Sequence, residues 1–88
     1  MPAPDTSDPA TIALQALAWT LAEPARADRL LSVTGLDAAA LRQSAGETAT
    51  LAAVLGFLEG HEPDLIACAK DLDLKPEALV AAHRSLDA

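Results

Sequence analysis

Leucines recur every three to four residues along most of this chain, and several of those runs open at a proline and close at a glycine. An apolar side chain returning at that interval falls on one side of an α-helix, whereas a strand would need strict alternation. Proline is tolerated in the first helical turn, and glycine accepts the left-handed conformation that often ends a helix. The pattern therefore predicts an all-α fold, a compact single-domain orthogonal bundle of five to six short helices. The helical domain is expected over residues 8–88. Met1 to Ser7 carries two prolines and no apolar period, and reads as a mobile N-terminal tail.

Asp8 followed by Pro9 is a good helix start, and the first helix should run to about Ala22, with Leu14, Leu17 and Leu21 as one stripe. Ile12 and Trp19 flank its narrow polar strip, so this helix is expected to be central. Pro24 turns the chain at Glu23 and opens a second helix that buries Ala27, Leu30, Leu31 and Thr34. Gly35 should end it in the left-handed conformation, and Asp37 should cap a short third helix through Ser44, anchored by Leu36 and Leu41. Gly46 separates that piece from a fourth helix, Thr48 to Glu59, with Leu51, Val54, Leu55 and Leu58 inward. After Gly60, Pro63 lies in the first turn of a fifth helix facing the core with Leu65, Ile66, Ala69 and Leu72. Pro76 opens a last helix that buries Leu79, Val80 and Leu86.

With 51% hydrophobic residues but only 2% aromatic, the core must be filled by Leu and Ala, which are strong helix formers and let helices approach closely. Trp19 and Phe57, the two aromatics, are expected to be buried. At 88 residues the chain suits one hydrophobic core. A shift of about 38 residues sets Leu17 on Leu55, Leu36 on Leu74 and Leu41 on Leu79, suggesting two halves of three helices each.

The ordered phrases ALQALAWTLA, RLLSVTGLDAAALR, LAAVLGFL and LDLKPEAL, spanning about residues 12 to 86, resemble a family of short α-proteobacterial proteins catalogued as a domain of unknown function. VTGLDAAALR is the most specific of them. The resemblance implies a small helical fold and carries no activity, cofactor or site. Thr20, where a large apolar residue is expected, and Ala38, where proline is common, depart from the family pattern.

Charge narrows the function classes. Thirteen Asp and Glu against six Lys and Arg give a net charge of −7, which opposes a nucleic-acid backbone or an anionic membrane. The two helices around Gly35 could form a helix-turn-helix offering Arg42, Gln43 and Ser44, but with so few basic residues an ordinary helix corner is the better account, and no nucleic-acid partner is expected. The N-terminus resembles neither a secretory signal nor a transit peptide, and the apolar stretch Ile12 to Ala22 is too short to span a bilayer. One cysteine, Cys68, cannot close an intramolecular disulfide, so a cytoplasmic location is expected.

Candidate chemistry is sparse. Asp71, Asp73 and Glu77 begin like a calcium loop, but Lys75 holds the third ligand position and Ala82 the twelfth. His61 and His83 lie outside any short-spaced ligand cluster, and His83 reads as a partly buried, hydrogen-bonded core residue. Cys68 flanks the buried stripe of the fifth helix and should behave as a small apolar side chain. No metal, cofactor or enzymatic activity is expected. The acidic residues Glu59, Glu62, Asp64, Asp71 and Asp73 are the candidate partner-contact residues, suited to a basic partner unless they are simply solvated. The reading favoured is a non-enzymatic module that binds another protein or a second copy of itself, since the first helix has more apolar surface than a six-helix core need cover. A small enzyme or ligand-binding protein with a site between helices, using His83 or Cys68, is the alternative.

Overall fold

Asp8 is the N-cap of the first helix: its carboxylate accepts the Thr11 backbone amide at 3.0 Å and the Thr11 hydroxyl at 2.8 Å. The computed structural model describes residues 8–88, and the expected tail, 1–7, lies outside them. Six helices follow: α1 (Pro9–Leu21), α2 (Pro24–Thr34), α3 (Ala38–Ser44), α4 (Thr48–Glu59), α5 (Glu62–Asp71) and α6 (Pro76–Asp87). Among the described residues there is no strand, and no helix is long and apolar enough to cross a membrane.

The local signals act where the sequence placed them. Proline occupies the first or second position of α1, α2, α5 and α6. Gly35 ends α2 with φ 74°, and the Asp37 carboxylate caps α3 by accepting the Ala40 amide at 2.7 Å. Among the described residues, the other left-handed one is Asp73, with φ 59°. There the Leu74 amide reaches back to the Ala69 carbonyl at 2.8 Å and the Asp73 amide to Lys70 at 3.1 Å, the two bonds that close a helix end around a left-handed residue. Shifting α1, α2 and α3 by 38 residues lands them on α4, α5 and the first half of α6 to within about one residue, so the echo marks a repeated order of helices.

α1, α4 and α6 make the most extensive mutual contacts, and α1 also touches α2 and α5. The larger core cluster joins Ile12, Ala13 and Ala16 of α1 to Leu51, Leu55 and Leu58 of α4, Leu65, Cys68 and Ala69 of α5, and Leu79 and Ala82 of α6. A smaller cluster of Leu17, Leu30, Leu41 and Val54 attaches α2 and α3, with Phe57 packed against both. All four core positions expected of α4 are buried.

α1 is turned differently from the expected stripe. Its buried face is Ile12, Ala13, Ala16, Leu17 and Thr20, leaving Leu14 and Leu21 at 45% and 44% exposure. Ala13 and Ala16 meet α4 and α6 together with Ile12, the two alanines letting the helix axes approach. Leu14 and Leu21 lie to the outside of that seam. Thr20 is fully buried, with its hydroxyl donating to the Ala16 carbonyl at 2.8 Å, so the polar atom is satisfied within its own helix. On α5, Ile66 is likewise exposed and Cys68 takes the inward position expected of it. Trp19 and Phe57 are partly rather than wholly buried.

Candidate functional site

α4 buries one face and leaves another open. Ala49, Ala53, Gly56 and Gly60 recur at intervals of four, three and four residues, which aligns them along one side of the helix. These small residues form the floor of a groove of about 780 Å³ between α4 and the second half of α2. Val33, which is 69% exposed, Leu36 and Phe57 form its apolar walls, and Arg29, Ser32, Thr34, Thr50 and His61 supply its polar groups. Leu30 and Leu31 of α2 pack in the cluster that holds Val54 of α4, whereas Val33 lies outside it.

Charge is gathered where α4 passes into α5. Arg29 Nη2 donates to Asp64 Oδ2 at 3.0 Å, and His61 Nε2 lies 3.9 Å from the same oxygen. The Asp64 side chain is only 15% exposed, while that of Arg29 is 48% exposed, so the guanidinium keeps donors directed to solvent.

The five acidic residues singled out from the sequence do not all remain available. Glu59 accepts a hydrogen bond from His83 Nδ1, joining the end of α4 to α6. Asp64 is held by Arg29. Asp71 Oδ2 accepts the Trp19 indole N–H at 2.7 Å, tying α5 to α1. Glu62, in the first turn of α5, and Asp73, at the left-handed corner, are exposed. Glu62 and Asp64 thus stand at one end of α5 and Asp71 and Asp73 at the other, on the order of 10 Å apart at 1.5 Å per residue.

His83 is partly buried and hydrogen-bonded, as expected for a packed histidine. It lines an adjoining groove of about 540 Å³ between α4 and α6, with Thr48, Leu86 and Asp87, which shares Ala49, Ala53 and Gly56 with the first. Close packing fixes the ring: a Cβ added at Gly56 would lie 3.3 Å from His83 Cε1. Cys68 is fully buried in the core, and desolvation pushes its thiol up to about 11, with the nearby Arg26 opposing that shift. It is therefore a protonated, apolar filler at neutral pH, and not an activated nucleophile. Trp19 carries the Arg26 guanidinium 3.5 Å from its ring centroid, and Arg26 Nη2 donates to the Trp19 carbonyl at 3.2 Å. Among the described residues, no three His, Cys, Asp or Glu side chains gather in a group that could hold a metal ion.

The sequence reading missed the α2/α4 groove. Its signal was present in the second, small-residue period of α4, which shares that helix with the leucine period. In an Ala-rich chain, however, such spacing does not distinguish a solvent-facing groove from a helix–helix seam.

No curated protein and no solved structure matches the chain at a significant level. The sequence does match, over residues 6–88, the family described as protein of unknown function DUF3572. That match covers nearly the whole chain, the six helices and every residue of the groove, and on it the chain belongs to the DUF3572 family.

Proposed function

We propose that this chain is a non-enzymatic protein-interaction module of the cytoplasm, which receives a segment of another protein in the groove between α2 and α4. The observation that carries the reading is the groove itself: an apolar trough of about 780 Å³ with Val33 largely exposed on its wall. Exposed apolar surface is costly in water, and covering it on association is favourable by about 25 cal/mol per Å². The outward leucines of α1, Leu14 and Leu21, add apolar surface elsewhere on the molecule.

Affinity capture from an extract of the native host, run in parallel with the full-length chain and an Ala53→Trp variant, tests the reading. Ala53 is exposed on the groove floor, so a tryptophan there obstructs the trough without entering the core. The expected result is a partner retained by the unmodified chain and lost from the variant. Partners retained equally by both would refute the assignment of the groove.

A ligand-binding reading is favoured by one observation, a volume within the roughly 300–1,000 Å³ range of small-molecule sites. It predicts a tightly held metabolite in the native mass spectrum of protein from the host. The groove has one aromatic wall residue and no buried polar group converging on its centre, and so fits a protein surface better.

A further inference from the structure

We infer that the occupant of the α2/α4 groove is an amphipathic helical segment of a partner protein, with its apolar side toward α4 and an acidic residue directed at Arg29 and His61. This inference rests on the docking reading above and adds the shape and charge of what docks.

Shape comes from the floor. Ala49 to Gly60 spans roughly 16 Å at 1.5 Å per residue, or three helical turns, and Ala49, Ala53 and Gly60 leave room for a second helix backbone to approach, while His83 packs at Gly56. An extended peptide has no counterpart here: among the described residues there is no sheet edge to extend, and Phe57 is the groove's one aromatic, too few for a polyproline track. A three-turn helix offering apolar residues at i, i+4 and i+7 can fill the space between Val33, Leu36 and Phe57.

Charge comes from the rim. In a chain with thirteen acidic and six basic residues, none of the residues lining the groove is a carboxylate, and its charged or titratable members are Arg29 and His61. Both converge on Asp64 at the α5 end of the groove, so the groove's nitrogen donors lie at one end. Asp64 offsets one charge, yet the half-exposed guanidinium still presents free donors, and a carboxylate on the incoming helix would complete their coordination. A rim charge of this kind fixes direction and speeds encounter more than it adds affinity. A second copy of the chain is disfavoured as occupant because each copy carries a net charge of −7.

The test is selection of a displayed library of random peptides, about 16 residues each, on the full-length chain, followed by binding of synthetic winners to the Ala53→Trp, Val33→Asp and Arg29→Glu variants. Circular dichroism establishes that each variant is folded, and Val33→Asp serves as the obstructing change should Ala53→Trp perturb α4. The expected winners carry apolar residues at helical spacing plus an acidic residue, and the groove variants weaken them more than tenfold. Arg29→Glu weakens them roughly three- to tenfold at low salt, the difference narrowing at high salt, as for an exposed ion pair turned into a repulsion. Groove-dependent winners that lack an acid, ignore Arg29→Glu or are proline-rich and extended would overturn this inference and leave groove docking standing. Absence of any groove-dependent winner would overturn both. Sedimentation showing a dimer of the chain that Ala53→Trp dissolves would assign the groove to a second copy and overturn the partner helix.

Discussion

Replacing Gly35 with alanine isolates a backbone effect from every packing effect. Gly35 sits at φ 74°, and a Cβ built on it meets nothing within 4 Å, so the cost of the substitution lies in the backbone conformation. Holding an L-residue in the left-handed region costs about 1–2 kcal/mol. Alanine also restricts the unfolded chain, which returns about 0.4–1 kcal/mol. The expected net loss is about 1 kcal/mol, or a fall of about 4–8 °C in Tm for a domain of this size. Gly60→Ala is the internal control: Gly60 also ends a helix, but at φ −72°, where alanine is at home, and the nearest atom to its new Cβ is 3.5 Å away. That change should stabilise by about 0.4–1 kcal/mol. Urea denaturation of the two variants beside the unmodified chain, with unchanged m-values, reads both effects. Opposite signs are required. Equal shifts in the same direction would show that the termination of α2 does not depend on a left-handed residue at position 35, and the capping argument would fail.

Asp73→Gly should raise stability by up to about 1 kcal/mol, since Asp73 holds φ 59° without glycine's freedom; a lower urea midpoint would contradict this. Changing both Leu14 and Leu21 to lysine should leave stability within about 1 kcal/mol, whereas Leu17→Ala, at a buried position, should cost about 2–5 kcal/mol; thermal melts showing the reverse order would mean that α1 faces the other way. Cys68 links stability to alkaline pH. Its thiol titrates near 11 in the fold against an ordinary value of 9.0, so the folded state holds its proton more tightly. Its contribution is intact below pH 9 and is lost as pH rises toward 11, a decline on the order of 2–3 kcal/mol. Cys68→Ala should flatten that part of the pH profile, and an unchanged slope would assign it to other groups.

What the sequence by itself determined is the succession of helices. The Asp8, Gly35 and Asp37 caps and the proline starts act over three or four residues of chain, so their effect can be read without knowing what lies across the core. The inward face of α4 was equally legible because its large apolar residues share one stripe. α1 was ambiguous: apolar residues cover most of its circumference, and periodicity cannot choose between the Leu14, Leu17, Leu21 stripe and the Ile12, Ala13, Ala16, Leu17, Thr20 face. Packing chose the second, setting Ile12, Ala13 and Ala16 against α4 and α6. Tertiary structure also redistributed the acidic residues. It gave Glu59 to His83, Asp64 to Arg29 and Asp71 to Trp19, partners 24, 35 and 52 positions away in sequence. The groove belongs to this second class, since its lining comes from α2 and α4 together. A local pattern sets which residues share a helix face; only the packing of distant helices decides whether that face is covered or left open.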